Sequence, residues 1–396
     1  MTDAAPVVSV VMPCLDEERT LPSCIAAAWR GIAAAGVAGE VVVVDNGSSD
    51  GSVAAAEAEG ARVVHCARRG YGNALRAGFA AARGRVILMG DADLSYDFGE
   101  LPRFLAEIDA GKQLVMGSRL RGRIEAGAMP PLHRYLGNPV LSWLVRLLFR
   151  VPVSDTHCGL RAFTRDAVAR MDLRTGGMEL ASEIVIKAGA AGLRIGEIPI
   201  TLRKDARGRP PHLRSFRDGW RHLRYMLMMA PNWLFFLPGF LSLATGALLI
   251  AVLLSSPLRI GPITLDVHTM LLGMALTLLG VYLLLLGCFV KAFSHTERLG
   301  PTGAAAFASA LRRVKLEHGL VAATLLVALG LAGDLYFLGS WLAGGAGRLD
   351  AGATLRPAIL YTTLLVAGLE VFFGAFFLSM LGISRGDYVG DYTEKD

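Results

Sequence analysis

Two carboxylates one residue apart follow a short apolar run in the first quarter of the chain. In the stretch MGDADLSYDF (89–98), Asp91 and Asp93 come after the run 86–88. Such a pair suits a divalent cation, because Mg²⁺ takes only one or two protein carboxylates and completes its shell with water and substrate phosphates. Asp is also common in the turns that follow strands. The pair by itself therefore leaves a metal site and an ordinary turn open.

Acidic residues also follow two other apolar runs. The first run leads to Glu17, and the second leads to Asp45 in the stretch VVDNGSSDG (43–51). An aspartate at a strand end can accept hydrogen bonds from the N–H of a base or from a ribose hydroxyl. The residues after Asp45 are typical of a tight turn and a helix cap. Three acidic strand ends in one region favour a nucleotide site.

The elements around these acids predict an α/β domain with a mainly parallel sheet over residues 1–202. Five β-branched runs are nearly continuous in apolar residues, as strands buried on both faces should be: 7–12, 40–45, 62–66, 85–90 and 113–117. Helix-forming stretches alternate with them at 18–35, 51–59, 71–83 and 99–110. Ligands of such sheets gather at the carboxyl ends of the strands, where the acids lie.

The second half of the chain has the composition of a membrane domain. Hydrophobic residues make up 53% of the sequence and charged residues only 19%, and the apolar stretches 233–256, 267–293, 319–343 and 357–383 each reach the roughly 20 residues that a span needs. We predict a basic juxtamembrane segment over 203–230, four transmembrane helices within 231–384 and a tail over 385–396. Lys and Arg concentrate before the first span and between the second and third, so the positive-inside rule predicts that both termini and the first domain are cytoplasmic. The N-terminal sequence also lacks the features of a signal peptide.

Two further segments have the pattern of helices that lie in the headgroup region of a membrane. Residues 131–153 and 212–229 combine Arg or His with Trp, Leu and Phe at helical spacing. An amphipathic helix on a protein surface is the alternative, and it carries about equal weight for 131–153. The net charge of +6 fits anionic lipid or phosphate better than nucleic acid, given where the basic residues cluster.

Six stretches in a fixed order resemble glycosyltransferase family 2. They are Pro13 to Glu17, VVDNGSSDG (43–51), RRGYGNALRAGFAAARG (68–84), DADLSYD (91–97), VMGSRLRG (115–122) and DTHCGLR (155–161). The pattern is most similar to polyprenyl-phosphate hexose synthases of the dolichyl-phosphate mannose or glucose synthase type. This resemblance covers about residues 7–230. It implies a GT-A fold, a nucleotide-sugar donor, a polyprenyl or dolichyl phosphate acceptor in the membrane, and Mg²⁺ or Mn²⁺ as cofactor.

The resemblance also assigns roles to individual residues. It implies that Pro13, Glu17 and Asp45, together with Asp91, bind the nucleotide, and that Asp91 and Asp93 bind the metal. It implies that Arg119, Arg134 and Asn138 meet the phosphates of donor and acceptor, with Asp93, Arg119 and Arg134 as the catalytic set. Arg207 and Arg209 are candidates for the positive charge that a juxtamembrane Lys supplies in other members. Ser95 stands where the mannose type has Gln, so a third protein contact to the metal is left unassigned.

Other classes of protein fit the sequence less well. Gly70 and Gly72 suggest a dinucleotide site, but the third glycine is Gly78 and the stretch follows the third strand. Processive polysaccharide synthases carry a Gln-x-x-Arg-Trp motif, whereas the only Gln here is Gln113. The resemblance thus implies transfer of one hexose to the lipid phosphate, and in-line attack by that phosphate predicts inversion at the sugar. UDP is preferred over GDP as the carrier of the sugar, although no single residue decides it, and a homo-oligomer stays open.

One class besides an enzyme stays open. Asp334 and Glu370 lie inside the third and fourth apolar stretches, and acids within a membrane are functional candidates by default. The alternative is therefore a transporter or scaffold in the membrane whose first domain senses nucleotide.

Overall fold

A computed structural model describes residues 5–206, 215–297, 316–345 and 351–381, with side chains in the last range from 354 onward. The chain divides into two compact units, Met1–Met229 and Ala230–Asp396. The division falls at the end of the segment predicted as juxtamembrane, so the described part of that segment is grouped with the first unit.

The first unit is built on a mainly parallel sheet. Its strands are β1 Val8–Cys14, β2 Gly39–Asp45, β3 Arg62–His65, β4 Val86–Met89, β5 Leu114–Ile124, β6 Arg161–Thr164 and β7 Ile195–Leu202. In the described residues these lie in the order β3-β2-β1-β4-β6-β5-β7. The five predicted runs are all strands, and the order confirms the GT-A type of α/β fold. Only β6 runs antiparallel to its neighbours β4 and β5.

Helices cover both faces of this sheet. They are α1 Leu21–Ala34, α2 Ser52–Ala58, α3 Tyr71–Ala81, α4 Leu101–Asp109, α5 Asn138–Phe149, α6 Arg165–Met171, α7 Leu180–Ala190 and α8 Ser215–Met229. Side chains alternate along each strand, so Val41 and Val43 of β2 belong to the same core as residues of α1, α2 and α4, whereas Val42 and Val44 belong to the core that includes residues of α3 and α5 to α8. Two cores separated by the sheet therefore hold its strand ends in place.

Helices α5 and α8 pack on the same face of the sheet but are only partly buried. Val145 of α5 and Tyr225 and Met226 of α8 belong to the core, and the two helices contact each other. A π-helical turn, His133–Gly137, leads into α5. The outer sides of these helices carry exposed apolar side chains, which are described with the site below.

The second unit consists mainly of long apolar helices. Within the described residues, four helices are long and apolar enough to cross a membrane: Asn232–Leu253, Val267–Thr296, Leu316–Ala343 and Thr354–Leu381. Each overlaps one of the four predicted stretches. The first of these spans begins with a π-helical turn, Asn232–Phe236, and continues as α9 Leu237–Leu253. The others are α10 Val267–Thr296, α11 Leu316–Ala343 and α12 Ala351–Leu381. A short hairpin, β8 Leu258–Ile260 and β9 Ile263–Leu265, joins α9 to α10.

Small residues allow these helices to approach closely, as they do in membrane bundles. A side chain on Gly246 of α9 would collide with the backbone of α10 at Gly273. A side chain on Gly333 of α11 would collide with the ring of Tyr361 on α12. Arg356 of α12 also pairs with Asp266, the residue that precedes α10, at 2.5 Å.

Candidate active site

The two aspartates after β4 are each held by a hydroxyl group. The Tyr71 hydroxyl donates to Asp91 Oδ1 at 2.9 Å, and Ser95 donates to Asp93 Oδ1 from its amide at 2.9 Å and its hydroxyl at 2.5 Å. Leu94, between Asp93 and Ser95, has a φ of +66°, a conformation that persists only where the surroundings impose it. These hydrogen bonds and this backbone conformation therefore fix the orientation of both carboxylates.

The donor set fits a hard divalent cation. Asp91 and Asp93 offer oxygen atoms, which Mg²⁺ and Mn²⁺ prefer. Among the described residues, no group of three or more His, Cys, Asp or Glu side chains could hold a metal by itself. A cation at these two aspartates would therefore take its other ligands from water and from a bound diphosphate. Ser95, which stands where the mannose type has Gln, donates its hydrogen bonds to Asp93.

The loops after β1 and β2 are joined by a ladder of hydrogen bonds. The Asp16 amide donates to Ser48 Oγ at 3.0 Å, and the Ser49 amide donates to Asp16 Oδ1 at 2.7 Å. The Glu17 amide donates to Ser52 Oγ at 2.8 Å. Because each bond joins one loop to the other, the two loops form one wall of the site.

Asp45, at the end of β2, lies inside this wall. Its carboxylate accepts from the Ser48 amide at 2.9 Å and the Gly47 amide at 3.3 Å, and His65 Nδ1 lies 3.3 Å from Oδ2. Burial opposes ionisation, but the hydrogen bonds from Ser48, His65 and Gly47 outweigh it and lower the pKa of Asp45. Asp45 is thus an anion at neutral pH, ready to accept from a base or ribose. Pro13, also predicted at this site, is half-buried near the end of the neighbouring β1.

Thr20 connects the first loop to the aspartate loop. Its hydroxyl lies 3.2 Å from Glu17 Oε2 and 2.7 Å from the carbonyl of Ala92, which it bonds as donor. Ala92 stands between the two aspartates. Since β1 pairs with β2 on one side and β4 on the other, the ends of all three strands meet at one edge of the sheet.

Arg119 of β5 is bound by a buried carboxylate. Its Nε and Nη2 atoms each donate to Asp155 at 2.7 Å, and its amide donates at 3.0 Å. Burial favours the neutral form of Asp155, but the charge and hydrogen bonds of Arg119 lower its pKa below the ordinary value. The pair is therefore ionised, and a phosphate would have to meet Arg119 through the other edge of its guanidinium.

The loop that carries Asp155 is itself anchored. Glu197 of β7 accepts from the Ser154 amide at 2.8 Å, the Ser154 hydroxyl at 2.7 Å and the Asp155 amide at 3.2 Å. Arg119 is thus connected through Asp155 to Glu197, a residue of the sheet.

The segment from His133 to Asn138 makes contacts of its own. The Arg134 guanidinium lies over the Tyr135 ring, 5.4 Å from its centre, and Asn138 Nδ2 lies 3.4 Å from Met129 Sδ. Burial and the charge of Arg119 lower the pKa of His133. The structure thus brings His133 within electrostatic reach of Arg119, which the sequence did not indicate. Arg207 and Arg209 lie outside the described residues.

A stripe of apolar side chains runs along the outer side of each of the helices α5 and α8. We call these stripes the apolar surface of α5 and α8. On α5 and its leading turn they are Leu136, Val140, Trp143 and Leu147, and on α8 they are Phe216, Trp220 and Met228. Phe216 is 86% exposed and Trp220 is 57% exposed, which is unusual for aromatic side chains facing water.

For several residues that shape the site, the sequence does not show which partners they contact. In the sequence, Tyr71 is an aromatic residue within an Ala-rich helical stretch. Asp155 and Glu197 lie far from Arg119 and from each other along the chain. Glu183 of α7 is 1% exposed, although its neighbours in sequence resemble those of an ordinary helix. No local pattern distinguishes these residues, because their partners come from other elements.

The fold and the paired aspartates define a GT-A glycosyltransferase unit followed by apolar helices, and comparisons with known proteins agree. Residues 9–171 match the model of glycosyl transferase family 2, and residues 288–382 match the model of the glycosyltransferase family 2 C-terminal transmembrane region. The low-salt glycan biosynthesis hexosyltransferase Agl6 of Haloferax volcanii is 39% identical over 96% of this chain and 90% of its own length. The undecaprenyl-phosphate 4-deoxy-4-formamido-L-arabinose transferase of Salmonella paratyphi B is 30% identical over 70% of this chain and 80% of its own length.

This chain belongs to glycosyltransferase family 2, and it is an enzyme of that family with a C-terminal membrane region. Among solved structures, glucosyl-3-phosphoglycerate synthase from Mycobacterium tuberculosis, in complex with Mn²⁺, UDP and glucosyl-3-phosphoglycerate, is 25% identical over 56% of this chain and 76% of that chain. The TM-score of 0.43 is too low to transfer any site residue.

Proposed function

We propose that the protein transfers one hexose from a nucleotide sugar, UDP-linked, to a polyprenyl phosphate at the cytoplasmic face of a membrane, with inversion and with Mg²⁺ or Mn²⁺ bound. The observation that supports it most is the meeting of Asp45, Asp91 and Asp93 at one edge of the sheet. The names of the two relatives above point the same way, one a hexosyltransferase and the other a transferase that acts on undecaprenyl phosphate.

The donor would occupy the edge formed by the β1, β2 and β4 loops. Asp45 and Glu17 would accept hydrogen bonds from the nucleoside, and the diphosphate would extend towards the aspartates after β4. A divalent cation held by Asp91 and Asp93 would neutralise charge on the departing diphosphate. The chain's own task at this edge is to keep the carboxylates oriented, which Tyr71 and Ser95 do.

The acceptor needs little activation. A phosphate monoester has a second pKa of about 6, so it is largely dianionic at neutral pH. One of its oxygens forms the bond to the anomeric carbon while the bond to the diphosphate oxygen breaks, and the electron pair leaves with the nucleoside diphosphate. Arg119 and Arg134 would draw the two anions together, since a guanidinium can bind phosphate through two hydrogen bonds. Attack opposite the leaving group inverts the configuration at the sugar.

The apolar surface of α5 and α8 supports a lipid acceptor. Trp, Phe, Leu and Arg side chains on such helices are typical of segments that lie at the membrane interface. We propose that these helices meet the headgroup region, so that the phosphate of the lipid comes to the arginines while its chain stays in the bilayer.

The test is release of nucleoside diphosphate by the full chain in lipid vesicles. A panel of UDP- and GDP-sugars is offered with and without polyprenyl phosphate, and with Mg²⁺ or EDTA. The proposal predicts release that needs lipid phosphate and metal, that is lost in Asp93→Ala, and that persists in Asp109→Ala, a change at an exposed carboxylate. Binding of nucleotide without turnover of any sugar would instead favour the transporter or sensor built on Asp334 and Glu370. That alternative draws support from Glu370, because one of its carboxylate oxygens is buried with no hydrogen-bond partner in the described part of the chain.

A further inference from the structure

Asp91 is held by a residue that belongs to a different element from its own loop. Tyr71 is the first residue of α3, and its hydroxyl donates to Asp91 Oδ1 at 2.9 Å. On the opposite side, a side chain on Gly159 would come within 2.5 Å of Asp91 Oδ2. The carboxylate therefore lies between a tyrosine hydroxyl and a backbone that only glycine can supply without a shift.

The position of Tyr71 is set by the residue before it. Gly70 has a φ of +134°, which a residue with a side chain rarely adopts. The Gly70 amide donates to Asn46 Oδ1 at 2.7 Å, and Asn46 Nδ2 in turn donates to the Arg68 carbonyl at 2.9 Å. Asn46 directly follows Asp45, so these hydrogen bonds join the loop after β2 to the start of α3.

The other side of this turn rests on the loop before α7. A side chain on Gly70 would collide with the Gly176 carbonyl, and the Asn73 amide donates to that same carbonyl at 3.2 Å. A side chain on Gly72 would collide with the Thr175 carbonyl. Helix α3 therefore begins in backbone-to-backbone contact with residues 175–176.

Glu183 of α7 holds that loop from beneath. Its carboxylate accepts from the Arg174 amide at 2.9 Å, the Thr175 amide at 2.8 Å and the Thr175 hydroxyl at 2.6 Å. Lys187 completes the arrangement with an ion pair of 2.7 Å. Glu183 is buried, and its carboxylate accepts hydrogen bonds from the loop that contacts the start of α3. The first residue of α3, Tyr71, in turn contacts Asp91.

We propose that Tyr71 is a positioning residue for the metal ligand Asp91, and that Glu183, by holding residues 174–176, sets where Tyr71 stands. The inference rests on the proposed function, since it concerns a metal bound by Asp91 and Asp93. Fixing one carboxylate oxygen before the cation arrives reduces the freedom lost on binding, as partners around metal ligands do generally. Loss of such a partner typically costs about 10–100-fold in metal affinity or activity.

The experiment measures Mn²⁺ binding to the full chain in vesicles by electron paramagnetic resonance, in the presence of UDP and, in a second series, GDP. We expect Tyr71→Phe to raise the Kd for Mn²⁺ by about tenfold, with an unchanged melting temperature and with turnover restored by higher Mn²⁺. Tyr225→Phe is the matched control, because it removes a buried hydroxyl that has no hydrogen-bond partner among the residues that the structure describes. It should leave the Kd for Mn²⁺ at the wild-type value.

Glu183→Gln tests the second half of the inference. It should raise the Kd for Mn²⁺ in the wild-type background but add little when combined with Tyr71→Phe, because both changes act through one hydroxyl. Fully additive effects would show that Glu183 does not act through Tyr71. Wild-type Mn²⁺ affinity in Tyr71→Phe would overturn the positioning role while the proposed function stands. A wild-type chain that binds no Mn²⁺ with either nucleotide would overturn both.

Discussion

Two regions of the first unit differ in how their functional side chains are supported. At the ends of β1, β2 and β4, the polar side chains are buried or half-buried and are held by groups from neighbouring loops and helices, as Asp91 is by Tyr71. On the outer sides of α5 and α8, large apolar side chains such as Trp143 and Trp220 are exposed. Fixed polar groups select a small, soluble and highly charged molecule, whereas exposed apolar groups suit a fluid partner that needs no fixed geometry. This difference supports the proposal that the donor binds at the first region and the lipid at the second.

Removing one carboxylate from the first region is the strongest test of the proposal that the donor and its metal bind there. We expect Asp93→Asn to lower the rate of nucleoside diphosphate release by about 10³-fold, because a neutral amide cannot stabilise the metal that offsets charge on the leaving group. The amide oxygen can still accept from Ser95, so the melting temperature should stay near that of wild type. A rate within tenfold of wild type would contradict the assignment of Asp93 to the metal.

Removing the carboxylate that binds Arg119 should cost mainly stability. We expect Asp155→Ala to reduce the free energy of unfolding by about 3–5 kcal/mol, because it leaves a buried guanidinium without its partner. The matched control is Asp109→Ala, which breaks an ion pair with Arg85 in which both side chains are more than half exposed and should cost less than about 1 kcal/mol. Denaturant unfolding of the two variants side by side measures the difference. Equal losses would mean that the buried pair does not hold the site.

Acid should weaken the first unit through His222, which is buried on α8, and His157, a half-buried histidine whose ring contacts it. His157 and His222 stack edge to face at 4.4 Å, and Ser182 Oγ lies 3.2 Å and 2.9 Å from their ring nitrogens. Burial lowers the pKa of His222 to about 4, against the opposing charge of Asp218, and it also lowers the pKa of His157.

The sign of the pH effect follows from these shifts. The unfolded chain protonates both rings as the pH falls below about 6.5, whereas the folded chain keeps them neutral, so stability is lost as the pH falls from that value. The loss is about 1.4 kcal/mol per pH unit for each proton taken up only on unfolding. Thermal unfolding between pH 7.5 and 5 should show a smaller slope for His222→Gln than for wild type. An unchanged slope in His222→Gln would refute the explanation.

A charge on the apolar surface should produce the smallest effect and the most selective one. We expect Trp220→Glu to raise the KM for polyprenyl phosphate in vesicles by about tenfold, equivalent to about 1.4 kcal/mol, with the KM for the nucleotide sugar unchanged. Ala33→Glu is the control, since Ala33 is exposed on α1, which covers the opposite face of the sheet. An equal rise in both KM values would argue that α8 serves the donor site and not the lipid.

Much of the fold follows from the order of residue types along the chain. Apolar β-branched runs separated by Ala-rich stretches predict five of the strands, and continuous apolar stretches predict the four long helices found in the described part of the chain. Burial on both faces and burial in lipid each demand an uninterrupted apolar pattern. The strands β6 and β7 were not predicted. Arg161–Thr164 is too short to show a period, and Ile195–Leu202 mixes polar and apolar residues as a strand at the edge of a sheet does.

The candidate site divides in the same way. Asp45, Asp91 and Asp93 are evident in the sequence because a charged residue directly after an apolar run marks a strand end, and the ends of parallel strands meet. The sequence alone cannot show that Arg119 is bound by Asp155, that His133 comes within reach of Arg119, or that Tyr71 stands on a loop held by Glu183. Those pairs lie 36, 14 and 112 positions apart. Which of them meet is decided by how the helices pack on the sheet, and buried hydrogen bonds over such separations leave no periodic trace in the chain.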